Sequence, residues 1–202
     1  KVQAVVGGDW VSDIKLYNHV AGLFYFGKFG CGATIISERR VATDTNQYDI
    51  TRYVKPEDIM IHPNYTKGVF HHDIAVLEFE EPLDFTNPKI GKAELVPENY
   101  VPLDGEAVIV LGFTQFDEEH KQIAYSKLRY VPASVKDFAK CKEETASRVL
   151  ESGRRNFNQG DSGGPLVTRD GRYLGIVSNA LNSIVEVSMN VGAYHTFLNN
   201  PR

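Results

Sequence analysis

A single serine, Ser162, stands among glycines in the stretch QGDSGGPL, residues 159–166, with Asp161 before it and Pro165 three places after. Small neighbours let a backbone turn sharply and let a carbonyl group approach closely. In such a turn two backbone N–H groups can converge on an oxygen that becomes negative during acyl transfer, and the natural pair here is Gly160 and Ser162. The chemistry this implies is nucleophilic attack by Ser162. The plainer reading is a tight surface turn, since Asp and Gly pairs commonly mark turns. The α/β-hydrolase context is excluded, because Gly-Gly-Pro follows the serine where that context has a helix.

A serine hydroxyl is a weak nucleophile until a base takes its proton. The chain has six histidines, His19, His62, His71, His72, His120 and His195. Each reads first as a surface or structural residue. Cys31 and Cys141 are the only cysteines. Alone they make neither a disulfide framework nor a zinc site, which needs more ligands at closer spacing. The acidic pairs Glu118-Glu119 and Glu143-Glu144 are too local to surround an ion. No metal and no cofactor is expected. Asn64-Tyr65-Thr66 is an N-glycosylation sequon on an expected surface loop.

The elements that must position these groups read as strands. FGCGATII (29–36), DIAVLEFE (73–80), AVIVLGF (107–113), YLGIVS (173–178) and IVEVSMNV (184–191) are short and rich in β-branched or aromatic residues. Gly, Pro, Asn and Asp separate them, and several alternate as half-buried strands do. SVKDFAKCKEETASRVLE (134–151) instead has helical spacing, with Ser134 as N-cap, Asp137 at the third helical position, and an end expected before Gly153. VPENYVPLDGE (96–106) reads as a linker between two halves. Many short strands usually close into barrels or sandwiches, because closure removes free edges.

The 202 residues suffice for one domain or two small ones. Charged residues make up 24% and hydrophobic ones 42%, which describes a globular chain rather than a disordered one. A formal charge of -4 without a basic run gives no nucleic-acid signal. The longest apolar runs, such as 107–111, are far too short to span a bilayer. KVQAVVGGDW lacks a signal-peptide pattern, and the expectation is a secreted, extracellular chain whose leader has been removed.

The motif GDSGGP at 160–165 resembles the nucleophile motif of the chymotrypsin/trypsin-like serine proteases. VVGG at 5–8 is similar to that family's mature N-terminus, and CGATIIS at 31–37 to the strand before its catalytic histidine. HHDIAVLEF at 71–79 resembles the segment with the buried triad aspartate, here Asp73. GF at 112–113, IVSNA at 176–180 and VGAY at 191–194 resemble the second-barrel start, the substrate-binding strand and the last pocket wall. The resemblance implies an all-β fold of two six-stranded antiparallel barrels, about 5–100 and 101–202, with the site in the cleft between them. It implies a serine endopeptidase with Ser162 as nucleophile, Asp73 orienting a histidine, and Gly160 and Ser162 as oxyanion donors. Substrate would lie along Gln159, Ser178 and Asn179, with Asn156 at the floor of the specificity pocket and Ala180 and Gly192 on its walls. A neutral Asn156 removes the ionic partner that a basic substrate side chain would need. The implied partners are protein or peptide substrates, an activating protease and protein inhibitors, acting on a monomer.

The resemblance fails at the base. Where the family carries the AAHC-type segment, this chain reads SERRVATDTNQYDI, with no histidine. His62, His71 and His72 match surface or strand-entry positions of the family instead. Thr43 and Asp44 look adjacent because residues between them are absent, and 151–160 contains a second abrupt join. The cysteines agree, because the resemblance pairs Cys31 and Cys141 with cysteines that would fall at these two joins. With 110 positions between them, expected in different barrels, they are not expected to meet at the about 4.4–6.8 Å Cα separation of a disulfide. Three accounts fit. The chain as written lacks internal residues that carry the histidine; or a homologue has lost its histidine loop and serves in binding or regulation; or the chain is engineered or nicked.

The segment KVQA precedes VVGG, so Val5 has no free amine. In the family, cleavage at this point frees an amine that pairs with the aspartate before the nucleophile, here Asp161. The expectation is therefore a zymogen-like form, with KVQA as an expression remnant as the other reading.

Overall fold

The computed structural model describes residues 3–4, 9–25, 28–43, 54–67, 71–117, 122–136, 147–151, 161–180 and 185–202. Its strands are β1 (Gln3–Ala4), β2 (Asp9–Trp10), β3 (Val20–Tyr25), β4 (Lys28–Ser37), β5 (Arg40–Thr43), β6 (Ile59–Ile61) and β7 (Ala75–Glu78), then β8 (Ala107–Asp117), β9 (Gln122–Lys136), β10 (Ser147–Glu151), β11 (Pro165–Thr168), β12 (Tyr173–Ala180) and β13 (Val185–Asn190). The described residues also form three short 3-10 turns and a C-terminal helix, α1 (His195–Asn199). All strand pairings within the two sheets are antiparallel.

The strands form a five-stranded sheet, β3-β4-β5-β7-β6, and an eight-stranded sheet, β1-β8-β11-β12-β13-β10-β9-β2, in which β8 also pairs with β9. These stand where two six-stranded barrels were expected. The second sheet includes the six strands β8 to β13, and the N-terminal strands β1 and β2 extend it by pairing with β8 and β9. Gln3–Ala4 and Asp9–Trp10 thus belong to the C-terminal sheet, because Gln3 pairs with Phe116 and Asp9 with Tyr130.

Strand alternation explains the cores. In β4, Cys31, Ala33 and Ile35 face the interior of the first sheet together with Ala75 and Leu77 of β7. In the second sheet Val108, Val110, Val131, Val135, Leu166 and Leu174 do the same. A third cluster lies between the sheets. It takes Ala42, Ile74 and Val76 from one side, Ile176 and Met189 from the other, and Tyr194, Phe197 and Leu198 from around α1. With a period of two, a strand can serve its own core with one set of residues and the neighbouring sheet with the other. This packing fixes the two sheets against each other and so fixes the cleft.

The helix expected over 134–151 is not formed at either end. Ser134 to Lys136 finish β9, and Ser147–Glu151 form β10, with Val149 opposite Lys136 and Glu151 opposite Ser134. Long-range pairing overrides the local helical spacing, because Val135 is buried in the core of the second sheet and β10 also gains β13 as a partner. Cys141 lies outside the described residues. The linker over 96–106 is free of strand, and Val96 anchors it through Val96 N–H to Tyr173 O at 3.1 Å.

Candidate active site

Ser162 sits in a turn immediately before β11. Gly163 has φ 77, the left-handed region where a Cβ is costly, so the glycine after the serine has a conformational reason. The turn is anchored on both sheets. Gly163 N donates to Val177 O at 2.7 Å and Val177 N to Gly164 O at 3.0 Å, while Gly32 N of β4 donates to Ser162 O at 2.8 Å. The approach to β4 is so close that a Cβ on Gly32 would lie 2.6 Å from Gly164 Cα. Gly32 is a site residue that sequence reasoning missed. Its one signal was a glycine inside an otherwise β-forming run.

Asp73 is buried and is the middle residue of a three-residue turn, closed by Ile74 N donating to His72 O at 2.8 Å. Its Oδ2 accepts from Ser178 Oγ of β12 at 2.6 Å, which joins the two sheets. The Ser162 hydroxyl in turn donates to the Ser178 backbone carbonyl at 3.3 Å. Ser162, Ser178 and Asp73 are therefore brought together in the cleft. That contact is the only hydrogen bond of the Ser162 hydroxyl among the described residues.

The histidines have other surroundings. His19 is buried beside Tyr17, and burial holds its pKa down at about 4. His62 and His72 stack on each other near Tyr194. His195 Nε2 donates to Val96 O at 2.6 Å. His71 is half-buried two residues before Asp73, and His120 lies outside the described residues.

Gly192 departs from its expected place. Asn190 pairs with Gly175, so Gly192 lies beyond the end of β13, and its N–H is held by Asn190 Oδ1 at 3.1 Å. A Cβ there would meet Tyr100 O at 2.7 Å, which places Gly192 against the linker. At about 3.3 Å per residue along a strand, it is far down the sheet from Ser178. The residues opposite Asn179 and Ala180 are Val187 and Glu186. The VGAY similarity thus misaligned the wall, because strand register decides which residue faces the cleft. Asp161 is buried, and Asn64 is exposed in a turn. Val5, Asn156, Gln159 and Gly160 lie outside the described residues.

The trypsin family model matches residues 5–195. The chain belongs to the trypsin family. Serine protease Hayan of Drosophila melanogaster is 27% identical over 223 residues, a match that covers 87% of this chain. The match takes in 35% of that relative, so this trypsin-family chain spans about a third of its length. Among solved structures, mouse neuropsin, a serine protease expressed in the limbic system of the brain, has a TM-score of 0.79 at 19% identity, covering 95% of this chain and 97% of its own. The scabies mite inactivated protease paralogue S-D1 has a TM-score of 0.80 at 20% identity, covering 96% and 95%. Its paralogue S-I1 has a TM-score of 0.76 at 20% identity, covering 96% and 97%. The fold is therefore that of trypsin. No helix among the described residues is long and apolar enough to cross a membrane.

Proposed function

We propose that this chain is a trypsin-family homologue that engages polypeptides in its cleft without hydrolysing them. The observation that carries this reading is the hydrogen bond from Ser162 Oγ to the Ser178 carbonyl. A carbonyl accepts a hydrogen bond but does not take the proton away, so the hydroxyl stays un-ionised and weakly nucleophilic. The segment that follows β5, where the family carries its base, reads DTNQYDITRY and has no histidine. Family members that act on proteins support a polypeptide as ligand, and the exposed Asn64 sequon supports an extracellular setting.

The test is labelling by a fluorophosphonate, followed by intact mass. The wild type is expected to react no faster than Ser162→Ala within an hour. Stoichiometric labelling of Ser162 within minutes would overturn the proposal, because it requires a base.

A second reading, an endopeptidase with a Ser-His-Asp triad, is favoured by the retained contact between Asp73 and Ser178. Under it, internal residues after Thr43 supply the histidine. Activation is then cleavage between Ala4 and Val5, freeing an amine for the buried Asp161. Gln3 and Ala4 are paired with Phe116 and Gln115, which supports an uncleaved, zymogen-like state. Labelling that appears only after limited proteolysis at Val5 is the outcome this reading requires.

A further inference from the structure

His62 and His72 come from different turns, yet their rings stack with centroids 4.6 Å apart and planes 6° apart. Tyr194 packs edge-on against both, at 5.4 Å and 5.9 Å, and Phe197 of α1 lies edge-on to His62 at 4.9 Å. Each ring is committed through Nδ1. His62 Nδ1 accepts from Asn64 N–H at 3.2 Å, so that ring is neutral and carries its proton on Nε2. His72 Nδ1 lies 3.1 Å from the Tyr194 hydroxyl.

The two contacts respond differently to a proton. Tyr194 has one hydroxyl proton and two neighbours that can receive it, His72 Nδ1 and Met189 Sδ at 3.9 Å. The hydroxyl can turn its proton to either neighbour, so that contact is adjustable. His62 has no such exchange. A proton on its Nδ1 removes the acceptor of Asn64 N–H and places a charge against the stacked ring of His72.

The pair is built into the support of Asp73. His72 adopts φ 54, an uncommon region for a residue other than glycine, and its carbonyl closes the turn around Asp73. His62 N donates to Ile74 O at 3.1 Å from the other side. The titratable groups around the rings are Tyr194 on the turn before α1, and His71 and Asp73 beside His72 in the chain. Among the described residues neither ring stands in a salt bridge.

We propose that His72 is a positioning residue for Asp73, and that His62, His72 and Tyr194 form a latch released when a proton on His62 Nδ1 displaces the Asn64 N–H. The latch acts on the Asp73 turn whether the cleft binds or hydrolyses. Burial, and then the neighbouring His72, hold the pKa of His62 below its ordinary value, in keeping with a resisted proton on that ring.

The experiment follows the ring resonances of both histidines by NMR from pH 8 to pH 4, together with amide exchange at Asn64 and Ile74. In the wild type, exchange at both amides is expected to rise as His62 protonates. His72→Asn is the second arm, since an amide oxygen can accept from Tyr194 and asparagine tolerates a positive φ. In that variant His62 is expected to titrate higher than in the wild type, because the neighbouring imidazole is gone while burial, the larger cause, remains. The Ile74 amide is then expected to begin exchanging at a correspondingly higher pH than in the wild type. An unmoved His62 midpoint in His72→Asn, or Ile74 exchange that is flat across the wild-type midpoint, would overturn the proposal. The wild-type titration decides this even if the variant folds poorly.

Discussion

The buried imidazole of His19 is expected to make folding stability fall in acid. His19 is 5% exposed, its Nε2 has no hydrogen-bond partner, and its pKa falls from 6.5 to about 4 because burial disfavours the charged ring. A folded-state pKa below the unfolded one means that the unfolded chain binds the extra proton. Stability is therefore complete above about pH 6.5 and is lost progressively as pH falls toward 4. The full drop, from 6.5 to about 4, corresponds to roughly 3 kcal/mol. At pH 5, integration of the linkage gives about 2 kcal/mol, a large share of the 5–15 kcal/mol that domains generally hold.

The substitution that isolates the effect is His19→Leu, which keeps bulk and removes the proton site. At pH 7.5 two terms oppose. The leucine relieves a buried nitrogen without a partner, worth about 1–3 kcal/mol, and loses the edge contact with Tyr17, worth about 0.5–1.5 kcal/mol. Urea unfolding of both proteins at pH 7.5, 6 and 5 supplies the measurement. Other titrating groups are common to both chains and cancel in the difference. The wild type is expected to lose about 2 kcal/mol more than the variant between pH 7.5 and 5. Equal losses, within about 0.5 kcal/mol, would show that His19 is charged in the native state and would refute the argument.

Two further predictions concern the cleft. Gly32→Ala is expected to cost about 1–3 kcal/mol in the same unfolding assay, because the new Cβ meets Gly164 backbone atoms at 2.6 and 2.7 Å that have no flexible end to yield. Ser178→Ala deletes the 2.6 Å hydrogen bond to the Asp73 carboxylate and is expected to cost about 1.5–3 kcal/mol, measured as a lower urea midpoint.

The readable parts of the sequence were those governed by local rules. Alternation in 29–36 and 107–113 revealed β4 and β8, since burying one face of a sheet imposes a period of two. The glycines around Ser162 revealed a sharp turn, and Gly163 adopts the positive φ that such a turn needs. What stayed hidden depends on distant partners. SVKDFAKCKEETASRVLE has helical spacing, and only the partners β13 and β9 reveal that its last five residues are a strand. Gly192 was misplaced because a motif does not report register. His62 and His72 are ten positions apart in sequence, and Tyr194, more than a hundred positions later, makes them one cluster.

If the proposed non-hydrolytic reading holds, the retention of the nucleophile motif has a physical explanation in these contacts. Ser162 O accepts from Gly32, Ser162 Oγ donates to the Ser178 carbonyl, and Ser178 Oγ donates to Asp73. The first and last of these bonds run between the two sheets, and the glycine at 164 is required where Leu111 O and Asp161 O would each lie 2.8 Å from a Cβ. None of these interactions involves an imidazole. On the proposed reading, the absence of a histidine leaves these three bonds, and so the serine turn and the contact between the sheets, intact. Losing Gly32, Gly164, Ser178 or Asp73 would disturb the fold directly, because each is buried or closely packed where alternatives clash or leave a polar group unpaired. Folding stability thus has its own stake in the two glycines after Ser162, Gly163 through its positive φ and Gly164 through its close packing.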